Sequence, residues 1–124
     1  MTRNIGFFTA VLAVMLGGCA SSVEAPFSSI EQQQLETVEF MRPYELSRTD
    51  VSHTSLGEVV GESCQRTRFQ AQPSQAEALL KLKLAAAQLG ANRVILKQCQ
   101  QASSNDCRAS WVCRGDAHQQ QPLR

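Results

Sequence analysis

The sequence predicts an α+β fold: a small disulfide-stapled domain with one main helix packed on a sheet of about four short strands. Three observations predict it. Residues 74–89 carry an apolar stripe at helical spacing between two cap signals. Segments at 37–42, 56–60 and 93–97 are short and rich in β-branched or aromatic residues, and 107–113 alternates. Four cysteines, Cys64, Cys99, Cys107 and Cys113, fall inside the same stretch.

TVEFMR at 37–42 sets Val38 and Phe40 against Glu39, and Pro43 stops the strand. Residues 45–55 are polar and read as a loop. LGEVV at 56–60 is a second short strand, ended by Gly61, and QRTRFQAQP at 65–73 continues as a loop. Ser74-Gln75-Ala76-Glu77 has the form of a capping box with Pro73 just outside it. From there Leu79, Leu82, Ala86 and Leu89 form a stripe to be buried, and Glu77 and Lys81 form an i,i+4 pair on the wet side. Gly90 suits the left-handed position that ends such a helix. RVILK at 93–97 is a central-strand sequence, and Ser103 to Asp106 is turn chemistry. In CRASWVC, alternation puts Cys107, Ala109, Trp111 and Cys113 on one face and Arg108, Ser110 and Arg114 on the other.

The chain is organised as a leader over 1–18, a tether over 19–36, a folded domain over 37–118 and a flexible tail over 119–124. The tether reading rests on the Ser- and Gln-rich run 20–36, too poor in apolar groups to offset its ordering entropy. A second reading is that Ser28-Ser29-Ile30-Glu31 caps a short helix there. Residues 5–16, IGFFTAVLAVML, are uncharged and follow Arg3. As a helix they span roughly 18 Å at ~1.5 Å per residue, short of a ~30 Å hydrocarbon core and matched to a signal-peptide apolar region. The tetrapeptide Leu16-Gly17-Gly18-Cys19 resembles a bacterial lipobox. That resemblance implies cleavage before Cys19, a diacylglycerol on its thiol and an acylated amino group. Cys19 is thereby the odd member of five cysteines. Ala20 and Ser21, with no Asp after the lipid-bearing residue, imply sorting to the outer membrane.

Composition narrows the function classes. The whole chain has 12 Lys+Arg and 11 Asp+Glu, and removal of Arg3 leaves the mature charge balanced. Such a balance has no electrostatic footprint for nucleic acid and no polybasic patch for acidic lipid. No motif assembles a catalytic constellation. Glu58 and Glu62 read as solvated carboxylates, and His53 and His118 as exposed side chains, with no cofactor or metal implied. The four remaining cysteines are separated by 35, 8 and 6 positions, without C-x-x-C, which argues against zinc and against a thiol oxidoreductase. In an oxidising compartment they form two disulfides. If 107–113 is one strand, its ends lie ~20 Å apart, too far for a Cys107–Cys113 bridge. Two pairings then survive. A plain hairpin of 93–99 with 107–113 leans towards Cys99–Cys107 with Cys64–Cys113; the interleaved pairing is the other.

LGEVVGESC at 56–64, GANRVILKQC at 90–99 and CRASWVCRG at 107–115, together with the lipobox, are similar to the RcsF family, outer-membrane lipoprotein sensors of the Rcs envelope-stress phosphorelay. That resemblance implies the interleaved bridges Cys64–Cys107 and Cys99–Cys113. It also implies a non-enzymatic protein anchored in the outer membrane by the Cys19 lipid, with its domain facing the periplasm. The implied partners are the barrel-assembly machinery, outer-membrane β-barrel proteins and the periplasmic part of an inner-membrane negative regulator. The implied role is to sense outer-membrane or peptidoglycan defects and pass the signal on. The tether at 20–36 has less Pro and fewer basic residues than is common in that family. A structural or assembly-accessory envelope lipoprotein without signalling is the alternative. Trp111 is a candidate interface anchor, with core filling beside a disulfide the preferred reading.

Overall fold

The computed structural model describes residues 27–123. The leader 1–18, Cys19 and the first part of the tether lie outside the described residues. The order is α1 (Ser29–Thr37), β1 (Glu39–Met41), a 3₁₀ turn (Pro43–Ser47), β2 (Val51–Gln65), α2 (Gln75–Gln88), β3 (Arg93–Ala102) and β4 (Ala109–Pro122). The four strands form one sheet in the order β1-β3-β4-β2, with β1 parallel to β3 and the other pairs antiparallel. The α+β class is as the sequence predicts, but β2 and β4 are not short, at 15 and 14 residues.

α2 forms where the stripe and caps place it. Ser74 Oγ accepts from the Glu77 N–H at 3.1 Å, yet the box closes on one side only. The Ser74 N–H donates to Ser63 Oγ instead, at 3.0 Å, which ties the helix start to β2. Glu77 is left to pair with Lys81 at 3.0 Å. At the other end Ala91 N–H reaches Ala86 O and Gly90 N–H reaches Ala87 O, with Gly90 at φ +85°, a Schellman end. The buried stripe is Ala78, Leu82 and Ala86, one step round from the expected one; Leu79 is half-buried and Leu89 is exposed. These residues meet Val38, Val59, Val94, Cys113 and Ala117 in the core.

Gly61 does not end a strand. A Cβ there would lie 2.2 Å from the Ala78 carbonyl oxygen and 2.3 Å from the Leu82 nitrogen. β2 therefore runs on beneath the helix, and Gly61 lets the helix backbone approach. The strand also begins earlier than expected, at Val51, with a bulge at Leu56 where Gly57 takes φ +111°. Only the first part of the expected 45–55 loop is irregular, because Val51–Ser55 pair with His118–Pro122.

That same pairing corrects the flexible tail. β4 continues to Pro122, held on one side by β2 and on the other by Asn92. The Asn92 amide donates to Gln120 O at 2.9 Å and accepts from Gln120 N–H at 2.7 Å, imitating one more ladder residue. The second part of the expected tether is also ordered. Ser28 and Glu31 form a full, reciprocal box and open α1, which buries Leu35. Val38, at its end, is 1% exposed in the core. The helix reading of that segment is the correct one.

Alternation along β4 turns Trp111, Cys113, Gly115 and Ala117 towards α2, and Ser110, Val112, Arg114, Asp116 and His118 to the opposite face. β1 lies at one edge of the sheet and β2 at the other, so residues 42–50 must cross the two strands between them, β3 and β4. They do so over the face away from α2, where Glu45 O lies 3.1 Å from His53 Nε2. Beneath this strap Met41, Ile95 and His118 are buried.

Candidate functional site

The four cysteines all sit at one end of the sheet. Cys99 of β3 faces Cys113 of β4 directly, with Cα atoms 4.1 Å apart, and the two are bonded. The hairpin of these strands is therefore what brings Cys99 to Cys113; it does not favour Cys99–Cys107. The hairpin expectation misplaced the register, because β4 starts at Ala109 and residues 103–108 are the connection. Cys107 belongs to that connection and does not share a face with Cys113. The Arg108 N–H donates to Gln65 O at 2.8 Å and sets Cys107 against Cys64. Their Cα atoms are 5.5 Å apart and they form the second disulfide. Ser63 points to α2, so its neighbour Cys64 points away. One bridge thus clamps each face of the sheet. Glu62 Oε1 lies 3.1 Å from Cys107 Sγ, but an oxidised sulfur has no S–H to donate and no thiolate to offer a metal.

α2 starts level with Ser63, and the strands run on past it. The uncovered platform is a groove of about 480 Å³ lined by Trp111, Gln101, Gln65, Pro73, Gln72 and Arg108, with Ala102, Ser103, Ala109 and Ser110. Trp111 is half-buried: its ring packs on the core while its indole N–H donates to no acceptor among the described residues. It lies beside Cys113 on the helix side, so it is both core wall and groove floor.

Two loops frame the groove. In 66–73 the Gln70 N–H bonds to Thr67 O at 3.2 Å, closing a turn with Arg68 and Phe69 at its tip. Gln70 Oε1 accepts from the N–H groups of Arg66 and Thr67, at 2.8 and 3.3 Å, and Gln70 O accepts from the Gln65 amide at 3.0 Å. The turn is thereby braced, and Phe69 at its tip is 99% exposed. Reading 65–73 only as a loop misses this: Phe69 directly follows Arg66-Thr67-Arg68, but nothing local shows that the turn holds it out.

The opposite face carries a charge cluster. Lys97, at a second bulge, pairs with Asp116 at 3.1 Å and Glu58 at 3.4 Å, and Arg114 reaches Glu58 at 3.4 Å. The hydrogen bonds to Asp116 and then Glu58 hold the Lys97 ammonium above its ordinary pKa. Glu58 is thus exposed but engaged. His53 and His118 depart from their expected exposure: His118 is buried, His53 half-buried, and the Nδ1 atom of each is buried without a hydrogen-bond partner. Their reason is the strap and the extended β4, neither of which the sequence pattern showed. Among the described residues, the exposed groups at the stapled end of the sheet offer recognition surface.

Comparison with known proteins identifies the site's setting. The profile of the RcsF lipoprotein family matches residues 37–120, which spans β1 to β4 and all four paired cysteines. The outer-membrane lipoprotein RcsF of Escherichia coli strain K12 is 31% identical over 121 aligned residues, covering 86% of this chain and 90% of that protein. The protein of the same name from E. coli O6:H1 strain CFT073 gives the same identity and coverage.

Proposed function

The chain belongs to the RcsF lipoprotein family, whose curated relatives are outer-membrane lipoproteins, and from that premise we propose that it is the outer-membrane sensor of an Rcs-type phosphorelay. In this reading Cys19 carries the lipid, after removal of residues 1–18. Burial of ~0.8 kcal/mol per CH₂ over several acyl chains makes the anchoring nearly permanent. The domain associates with the barrel-assembly machinery and outer-membrane β-barrels. On damage to lipopolysaccharide or peptidoglycan it engages the periplasmic part of the inner-membrane negative regulator and relieves inhibition. The mechanism is positional and needs no catalysis: an anchor, a short leash and a rigid surface.

The observation that carries the reading is the family match across the whole stapled sheet. The leash has a physical consequence. With α1 packed from Ser29, only nine chain steps separate Cys19 from Ser28. At ~3.4 Å per step they reach about 30 Å. The regulator must then extend towards the outer membrane to meet the domain.

The test is a phosphorelay reporter in cells lacking their own sensor, supplied with the intact protein or Cys19→Ala and challenged with a lipopolysaccharide-perturbing peptide. The expected result is induction with the intact form and altered or uncoupled output without the lipid. A well-expressed, lipidated protein that gives no output contradicts signalling and favours an accessory envelope lipoprotein.

A further inference from the structure

We propose that the stapled end of the domain, the Trp111 groove with Arg66, Arg68, Phe69 and Arg108 around it, docks an acidic segment of a partner protein that carries an aromatic or apolar side chain. The proposal deepens the signalling reading and rests on it only for the identity of the natural partner.

Three arginines gather here. Arg108 is bonded through its backbone to Gln65, one residue from Arg66, and Arg68 sits on the braced turn that follows. The six ion pairs among the described residues engage Arg48, Lys81, Arg93, Lys97 and Arg114, and none of these three. None of their guanidinium groups donates a hydrogen bond to another described residue. Asp106 is the acid of the adjoining connection, and Glu62 turns away towards Cys107 on the other face. An uncompensated guanidinium cluster of this kind matches carboxylates, which it binds in a two-pronged geometry.

The apolar part is equally specific. Phe69 is held out at the tip of a hydrogen-bonded turn, and Trp111 floors the groove with a free indole N–H. Gln72 and Gln101 border it with amides that have no partner among the described residues, each offering the donor and acceptor that a peptide group needs. Aromatics with arginine are the composition of protein-interface hot spots. About 480 Å³ accommodates a large side chain. A second copy of the chain is a poor occupant, because it would set three arginines against three. Charge complementarity therefore selects an acidic segment of a different protein.

The test uses the fluorescence of Trp111, the single tryptophan of the chain. Full-length lipoprotein in detergent micelles is titrated with a synthetic peptide alternating Glu and Phe, and separately with the periplasmic part of the regulator. The expected result is a saturable fluorescence change with the peptide, weakened at least tenfold between 50 and 300 mM salt. It is lost in Arg66→Glu/Arg68→Glu/Arg108→Glu and weakened in Phe69→Ser, a substitution at a position that supports no packing. No change with the peptide, or a change that the triple variant retains, overturns the proposal. So does a saturable change with lipopolysaccharide or a muropeptide but not with the peptide, which would make the groove an anionic-glycan site. If wild type and triple variant bind the regulator equally, the docking surface is wrong and the signalling reading stands. If the peptide binds as expected and the regulator does not, the surface stands and the signalling reading fails.

Discussion

The two ends of the sheet are held by different forces. At the end under α2 and the strap, Leu82, Val38, Val94 and Ala117 are buried and the helix backbone touches Gly61. At the other end the strands outrun the helix, Trp111 is half open, and the connections 66–73 and 103–108 are irregular. Less apolar area is buried there; Cys64–Cys107 closes this end beyond the helix, while Cys99–Cys113 joins it to the core, where Cys113 is fully buried. The difference teaches that covalent closure frees side chains. Residues at the stapled end need not be apolar to stay in place, so they can be arginines, glutamines and an exposed phenylalanine.

The strongest way to break this comparison is to reduce the bridges. In the loop-entropy picture, separations of 43 and 14 residues correspond to about 4 and about 3 kcal/mol. The loops overlap, so the terms do not add, yet either is a large part of the ~5–15 kcal/mol typical of a domain. Denaturant unfolding of oxidised and reduced protein should differ widely in midpoint; equal midpoints would remove the staples from the account. At the packed end, Leu82→Ala should lower stability by about 3 kcal/mol through loss of contacts and a cavity. Gly61→Ala should approach that figure by forcing the helix off β2.

A smaller effect sharpens the boundary of the packed end. Ser28→Ala opens the reciprocal box of α1 and should lower stability by about 1 kcal/mol or less, read by chemical denaturation. If α1 did not pack on the domain, the change would not register. The smallest effect lies outside both ends. Arg48 hydrogen-bonds Asp50 and holds its carboxyl below the ordinary carboxylate range. A lowered carboxylate contributes above its unfolded pKa, and that contribution fades as the pH falls through the folded value. Both groups are exposed, so Arg48→Gln should leave the melting temperature at neutral pH unchanged.

The packed end was legible because its signals are local. The stripe near Leu82, the Ser74 cap and the left-handed Gly90 all act within a few residues. The extended strands were not legible, because their partners are remote: Val51–Ser55 are polar and become β structure only against His118–Pro122. Gly61 read as a terminator since nothing local announces a helix lying across it. The interleaved bridges are implied by the family resemblance and not by the local pattern, because nothing local marks 103–108 as a connection or announces the Arg108–Gln65 bond that sets Cys107 against Cys64. The docking residues were missed because polar loop composition carries no sign of which arginines lack partners in space.

The most direct test of this division is to unfold Cys64→Ser/Cys107→Ser with denaturant while following Trp111 fluorescence and far-ultraviolet dichroism together. The account predicts that in the variant the fluorescence transition comes first, at lower denaturant than the loss of helix, whereas the two coincide in the wild type. Coincident transitions in the variant would mean that the stapled end is held by the same core as the rest, and would contradict the account.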